Sequence, residues 1–194
     1  MLDEDLRETV VGSEVLHRGR LGEFRIDTVR FADGRESTRE ILGHPGAVAI
    51  VALDPEDRVL LVRQWRTAAA GVLLEIPAGT LDIVDSARRT IEDPDHAAPR
   101  ELEEETGYRA ATWRKLAAFW TVPGFATELM HLYLATELEP ARGNRLGPDE
   151  DERLELVRMP WPEAVRAADQ GTIRDAKSIV GLFWLARLKA AGQA

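Results

Sequence analysis

The stretch Arg100-Glu101-Leu102-Glu103-Glu104-Glu105-Thr106-Gly107-Tyr108 carries the densest group of side chains able to do chemistry. A helix advances about 100° per residue, so Glu101, Glu104 and Glu105 share one arc of about 100° while Glu103 points nearly the opposite way. Like charges on one arc repel each other and destabilise a bare helix. A divalent cation removes that repulsion. Mg2+ is a hard ion that suits a few carboxylates together with phosphate oxygens and water. The ordinary alternative is a solvated acidic face. Two flanking features favour the metal. Pro77-Ala78-Gly79 ends a strand, where a tight loop can bring a free carbonyl to a cation, and Gly107-Tyr108 stops the helix at a fixed register.

A scaffold must hold this helix. Residues 14–17, 24–31 and 37–42 are β-prone, and Ala32-Asp33-Gly34 is a hairpin turn signal. Three such strands are marginal alone and must pack on the rest of the chain or on a second subunit. After His44-Pro45-Gly46, residues 47–53 form a continuous apolar run, expected as a buried strand. Residues 59–65 return as a second strand and 73–76 as a third. The polar stretch 80–94 reads as an irregular loop. Pro99 lacks an N–H and fits only the first turn of a helix, so that helix is expected to start near Asp95 or His96, with Asp95 as cap. Strands follow at 116–120, 129–136 and 154–159, separated by an acidic, Gly/Pro-rich loop at 140–152. Pro162 opens a helix that ends at Gly171, and a final amphipathic helix spans about 177–190 with Ile179, Leu182, Phe183 and Ala186 on one face. Strands, helix, strands, helices: the order predicts an α/β sandwich around a mixed sheet.

The bulk numbers exclude several classes. The 194 residues suit one domain plus a small appendage, and 44% hydrophobic content supplies an ordinary core. With 34 acidic and 25 basic residues the net charge is −9, which disfavours nucleic-acid binding through a basic face. There are no cysteines, so thiolate chemistry and disulfides are out. No apolar stretch approaches the ~18 residues of a membrane span, and no signal peptide is visible, so a cytoplasmic location is expected.

The glutamate segment resembles the Nudix box, G-x5-E-x7-R-E-U-x-E-E-x-G-U, where U is aliphatic or aromatic. Gly79 matches the first glycine, and Arg100, Glu101, Leu102, Glu104, Glu105, Gly107 and Tyr108 match the second half without a fault. The first half departs from the pattern. Gly79 and Arg100 are 21 positions apart instead of 14, an insertion of seven. Glu92 keeps the spacing to Arg100 and Asp85 keeps the spacing from Gly79. The resemblance implies an acid that braces the box arginine, and Glu92 is the better placed for Arg100.

Further segments resemble the ADP-ribose pyrophosphatases of that family: Arg39-Glu40-Ile41 ahead of His44-Pro45-Gly46-Ala47-Val48, Gln64-Trp65-Arg66, and Pro123-Gly124-Phe125 with Glu128. The likeness runs from about residue 24 to 188. It implies a Nudix-type α/β/α sandwich (45–194) with a small N-terminal antiparallel sheet (1–44) exchanged between the subunits of a homodimer. It further implies substrate contacts from Phe24, Arg39, Arg66, Pro123 and Glu128. Mg2+, with Mn2+ as substitute, would be held by Glu101, Glu104, Glu105 and the Ala78 carbonyl. Arg100 and Glu92 would support the catalytic group, and the loop residue Glu150 or Glu152 would act as base on water. The implied reaction is hydrolysis of ADP-ribose, or a similar nucleoside diphosphate sugar, to AMP and ribose 5-phosphate. The alternatives are a pyrophosphatase for another nucleotide sugar such as GDP-mannose, and a Nudix-like module that binds ADP-ribose without cutting it.

Overall fold

A computed structural model of the chain describes residues 6–85, 90–143, 146–147 and 153–194. The chain divides into two compact units, residues 1–46 with 120–129, and residues 47–119 with 130–194. In the first unit β1 (Thr9–Arg18), β2 (Glu23–Arg30) and β3 (Glu36–Gly43) form an antiparallel sheet in that order. All ten residues of β1 are exposed, including Val10, Val11, Val15 and Leu16. The segment after residue 120 is stitched to the end of β3. Leu42 N donates to Phe125 O at 2.7 Å, and Thr127 N to Leu42 O at 3.0 Å.

In the second unit β4 (Ala47–Leu53) is central because every residue is apolar and can be buried on both faces. Around it lie β5 (Arg58–Arg66), β6 (Gly71–Glu75) and β7 (Ala78–Thr80). A short hairpin, β8 (Ile83–Asp85) with β9 (Thr90–Ile91), precedes α1 (Pro94–Thr106). Next come β10 (Tyr108–Trp120), β11 (Leu129–Pro140), β12 (Glu155–Pro160), α2 (Trp161–Asp169) and α3 (Ala176–Ala190). The sheet order is β10-β11-β4-β5-β12, with β6 paired to β5 and β7 to β4. It is mixed: β11 runs parallel to β4, and β12 antiparallel to β5.

Alternation along β4 sends its side chains to two cores. Ala47, Ala49, Val51 and Leu53 pack with Ala164, Ala168, Leu182 and Leu185 of α2 and α3. Val48, Ile50 and Ala52 pack with Ala97, Ala98 and Leu102 of α1. These are the three layers of an α/β/α sandwich. Among the described residues no helix is long and apolar enough to cross a membrane.

Several local expectations are corrected. The inserted segment is not simply an irregular loop, because Ile83 and Asp85 pair with Ile91 and Thr90. The helix cap is Asp93, whose carboxylate accepts from Asp95 N at 2.9 Å, with Pro94 at the first helical position. Pro99 therefore lies beyond the first turn, at the helix's sixth residue, on an exposed position where only one intrahelical bond is forgone. The strand expected from residue 116 already begins at Tyr108. The buried face of α3 is Ser178, Gly181, Leu182, Leu185 and Leu188, while Phe183 is exposed.

Candidate active site

Three elements of the second unit meet around the glutamates. Strand β7 delivers Ala78 and Gly79, α1 delivers the acids, and the hairpin delivers Glu92. Glu105, only 8% exposed, accepts from Ala78 N at 3.0 Å, which ties the strand turn to the helix. Gly79 faces Glu101 so closely that a Cβ there would lie 1.9 Å from the Glu101 carboxyl carbon. Only glycine leaves room for that carboxylate. Gly107 then ends α1 in the left-handed conformation (φ 72°), its N–H donating to Glu103 O at 2.8 Å.

Arg100 is the hub of the acids. Its Nε and Nη2 donate to the two oxygens of Glu92 at 3.2 and 2.8 Å. Its Nη1 lies 2.8 Å from Glu104 Oε2 and 2.8 Å from Glu101 Oε1. Glu92, which keeps the spacing to Arg100, is bonded to it, and the hairpin places it there. Glu92 N donates to Asp82 O at 2.8 Å, and Glu92 Oε2 accepts from Asp82 N at 3.3 Å. These bonds raise the Arg100 pKa well above the ordinary guanidinium range, the Glu92 hydrogen bond contributing most. They hold Glu92 below the usual carboxylate range, again chiefly through Arg100.

Glu103 stands apart from this group. It is 6% exposed and accepts from Arg109 Nε and Nη2 at 2.6 and 2.8 Å, and from Leu146 N at 3.1 Å. A cavity of about 340 Å3 runs past Arg100, Glu103, Arg109 and Trp113, and none of Glu101, Glu104 and Glu105 lines it.

Among the described residues no three acidic or imidazole groups form a ready-made metal cage. Mg2+ suits a few carboxylates whose set is completed by water and phosphate oxygens. The donor set agrees: hard carboxylate oxygens on one helical face, with Glu101 seated in a cradle that a Cβ would fill. Arg100, beside Glu101 and Glu104, lowers the repulsion between them.

Arg66 is held by Glu75, its Nε and Nη2 donating to both carboxylate oxygens at 2.8 and 2.7 Å. Glu75, Lys177 and Ser178 were invisible to motif reading. The signal was a glutamate inside the apolar run Val72-Leu73-Leu74-Glu75-Ile76, because a charge in a buried strand must be paired.

In the first unit Arg39 pairs with Glu8 and stacks over the Phe31 ring, 5.7 Å from its centroid. Phe24 is 36% exposed on β2. Pro123 is exposed, and Glu128 accepts a hydrogen bond from Thr121 Oγ1. His44, which opens the segment His44-Pro45-Gly46, turns Nδ1 to Gly46 N at 3.0 Å, so its proton sits on Nε2, 3.7 Å from Glu128 Oε1. Burial lowers its pKa, with Glu128 opposing, and keeps the ring neutral. Glu150 and Glu152 lie outside the described residues.

Comparison with known proteins follows the same geometry. The NUDIX domain model matches residues 43–180. An ADP-ribose pyrophosphatase of Bacillus subtilis (strain 168) is 37% identical over 191 residues, 98% of this chain and 98% of the relative. A methanol dehydrogenase activator of Bacillus methanolicus is 38% identical over 178 residues, 92% of each. A crystal structure of an ADP compounds hydrolase superposes with a TM-score of 0.79 at 25% identity, over 97% of both chains.

Proposed function

Since the chain belongs to the Nudix family, we propose that it hydrolyses the pyrophosphate bond of ADP-ribose or a closely similar nucleoside diphosphate sugar, releasing AMP and ribose 5-phosphate. The observation that carries this reading is the seating of Glu101 against Gly79, with Glu104 and Glu105 on the same face of α1. A module that only binds has no use for acids arranged at such electrostatic cost. The ADP-ribose pyrophosphatase relative, matched end to end, supports the choice of substrate class.

In this reading Glu101, Glu104, Glu105 and the Ala78 carbonyl hold Mg2+, for which Mn2+ can substitute. A divalent ion there neutralises phosphate oxygens and makes water a better nucleophile. Glu92 fixes Arg100, and Arg100 fixes the rotamers of Glu101 and Glu104, so the acids are aligned before substrate arrives. Arg66 presents a fixed positive charge to the diphosphate. Phe24, Arg39, Pro123 and Glu128 contact the rest of the substrate. Glu150 or Glu152 takes the proton from the attacking water. The protein acts as a homodimer through its N-terminal strands, motivated by the wholly exposed β1 with Val10, Val11, Val15 and Leu16 in the open. Light scattering that finds a monomer at micromolar concentration would remove the dimer from the account. The reaction is tested by a panel of ADP-ribose, GDP-mannose and ATP with Mg2+, read by product mass. ADP-ribose is expected to turn over fastest, and preference for ATP would overturn the substrate class.

A further inference from the structure

A buried ionic cluster stands behind Arg66 and has no role in the chemistry described so far. Glu75 is 1% exposed and Lys177 is 9% exposed. The Lys177 ammonium donates to Glu75 Oε2 and lies 3.0 Å from Asp175 Oδ2. Asp175 caps α3, accepting from Ser178 N at 3.0 Å and from Ser178 Oγ at 2.6 Å. Ser178 Oγ accepts in turn from Ile76 N at 2.8 Å, on the strand that leads into Pro77-Ala78-Gly79. A continuous set of bonds thus joins the start of α3 to Glu75 and, through Glu75, to Arg66. Burying charge this deeply is a poor route to stability, since the desolvation penalty offsets the attraction. Its use lies in geometry. The Arg66 side chain is 42% exposed with its back on a fully buried carboxylate. Burial alone would raise the Glu75 pKa, but Arg66 and Lys177 outweigh it and keep the carboxylate ionised.

We propose that Lys177 and Glu75 are positioning residues that fix the Arg66 guanidinium for the substrate's diphosphate, an inference that rests on the nucleotide-sugar reading above. A free arginine surrenders rotamer entropy when it is immobilised, and here that loss is met on folding and not on binding.

The test combines kinetics with a substrate-free measurement. Lys177→Met should raise KM for ADP-ribose about tenfold while kcat stays within about twofold, and Lys177→Arg should restore most of it. Because Lys177 acts only through Arg66, adding Lys177→Met to Arg66→Ala should change KM by less than about twofold. In the protein without substrate, NMR of arginine Nε–H groups should show Arg66 exchange accelerated at least about tenfold in Lys177→Met, through loss of protection. If Lys177→Met does not fold, the neutral pair Glu75→Gln with Lys177→Met carries the same measurements. Additive effects on KM, or unchanged Arg66 exchange, would overturn the proposal. A wild type inactive on every nucleotide sugar would refute the substrate reading instead, and the exchange measurement would still decide whether Lys177 holds Arg66.

Discussion

Gly79→Ala probes the site with a single methyl group. The added Cβ would sit 1.9 Å from Glu101 Cδ and 2.1 and 2.2 Å from its two oxygens. No backbone atom is among these neighbours, and Gly79 is not at positive φ, so the main chain tolerates alanine. What must move is the end of the Glu101 side chain, by at least about 1.5 Å to reach ordinary contact. That swings the carboxylate off its arc and breaks its 2.8 Å contact with Arg100 Nη1. A misplacement of about 1 Å costs on the order of 10²-fold in rate, so turnover should fall by about that factor or more. Stability should scarcely change, because the clash falls on a flexible side chain and replacing glycine contributes about 0.4–1 kcal/mol through the unfolded state. The assay is initial rate on ADP-ribose at saturating Mg2+, with a thermal melt of the same preparation. Wild-type turnover in Gly79→Ala would refute the argument that this glycine exists to seat Glu101.

Other perturbations separate the two sides of α1 and the brace. Glu105→Gln and Glu104→Gln should each lower turnover by roughly 10² or more while melting near wild type, if they act as ligands to the cation; mutants as active as wild type would remove them from the site. Glu103→Gln should keep its turnover per folded molecule but lose about 1–3 kcal/mol of stability, because a buried acceptor of Arg109 and Leu146 N is partly lost; denaturant midpoints measure this, and an inactive but stable mutant would contradict it. Glu92, held below its ordinary value of 4.5 by Arg100, contributes stability above that pH and loses it as pH falls through the lowered folded-state value. Glu92→Gln should therefore be less stable than wild type at neutral pH and converge with it in acid, and a gap that persists below the titration would argue against the brace.

Much of this was legible in the residues themselves. Ala47–Leu53 declares a strand buried on both sides, and Glu101, Glu104 and Glu105 fall on one arc by helical geometry alone. What escaped depends on contacts distant in sequence. Lys177 and Glu75 are 102 residues apart, so although a glutamate in an apolar run calls for a partner, nothing local says which residue that partner is. The insertion reads as polar loop because its hairpin is only a few residues long, yet that hairpin is what brings Glu92 to Arg100. A Pro99 confined to the first turn points to Asp95 as the cap, whereas the helix tolerates Pro99 farther in at an exposed position and is capped by Asp93. Helical spacing puts Phe183 on one face with Ile179, Leu182 and Ala186, but the close packing of α3 on the sheet uses the smaller Ser178 and Gly181, and the ring stays outside.

The central claim is that the acids of α1 serve cleavage of a nucleotide-sugar pyrophosphate. The most direct measurement is mass analysis of products from ADP-ribose with wild type and Glu105→Gln, each with Mg2+ and with chelator. The account predicts AMP and ribose 5-phosphate in equal amounts from wild type with Mg2+, and almost none in the other three reactions. Equal product formation with chelator, or by Glu105→Gln, would contradict it.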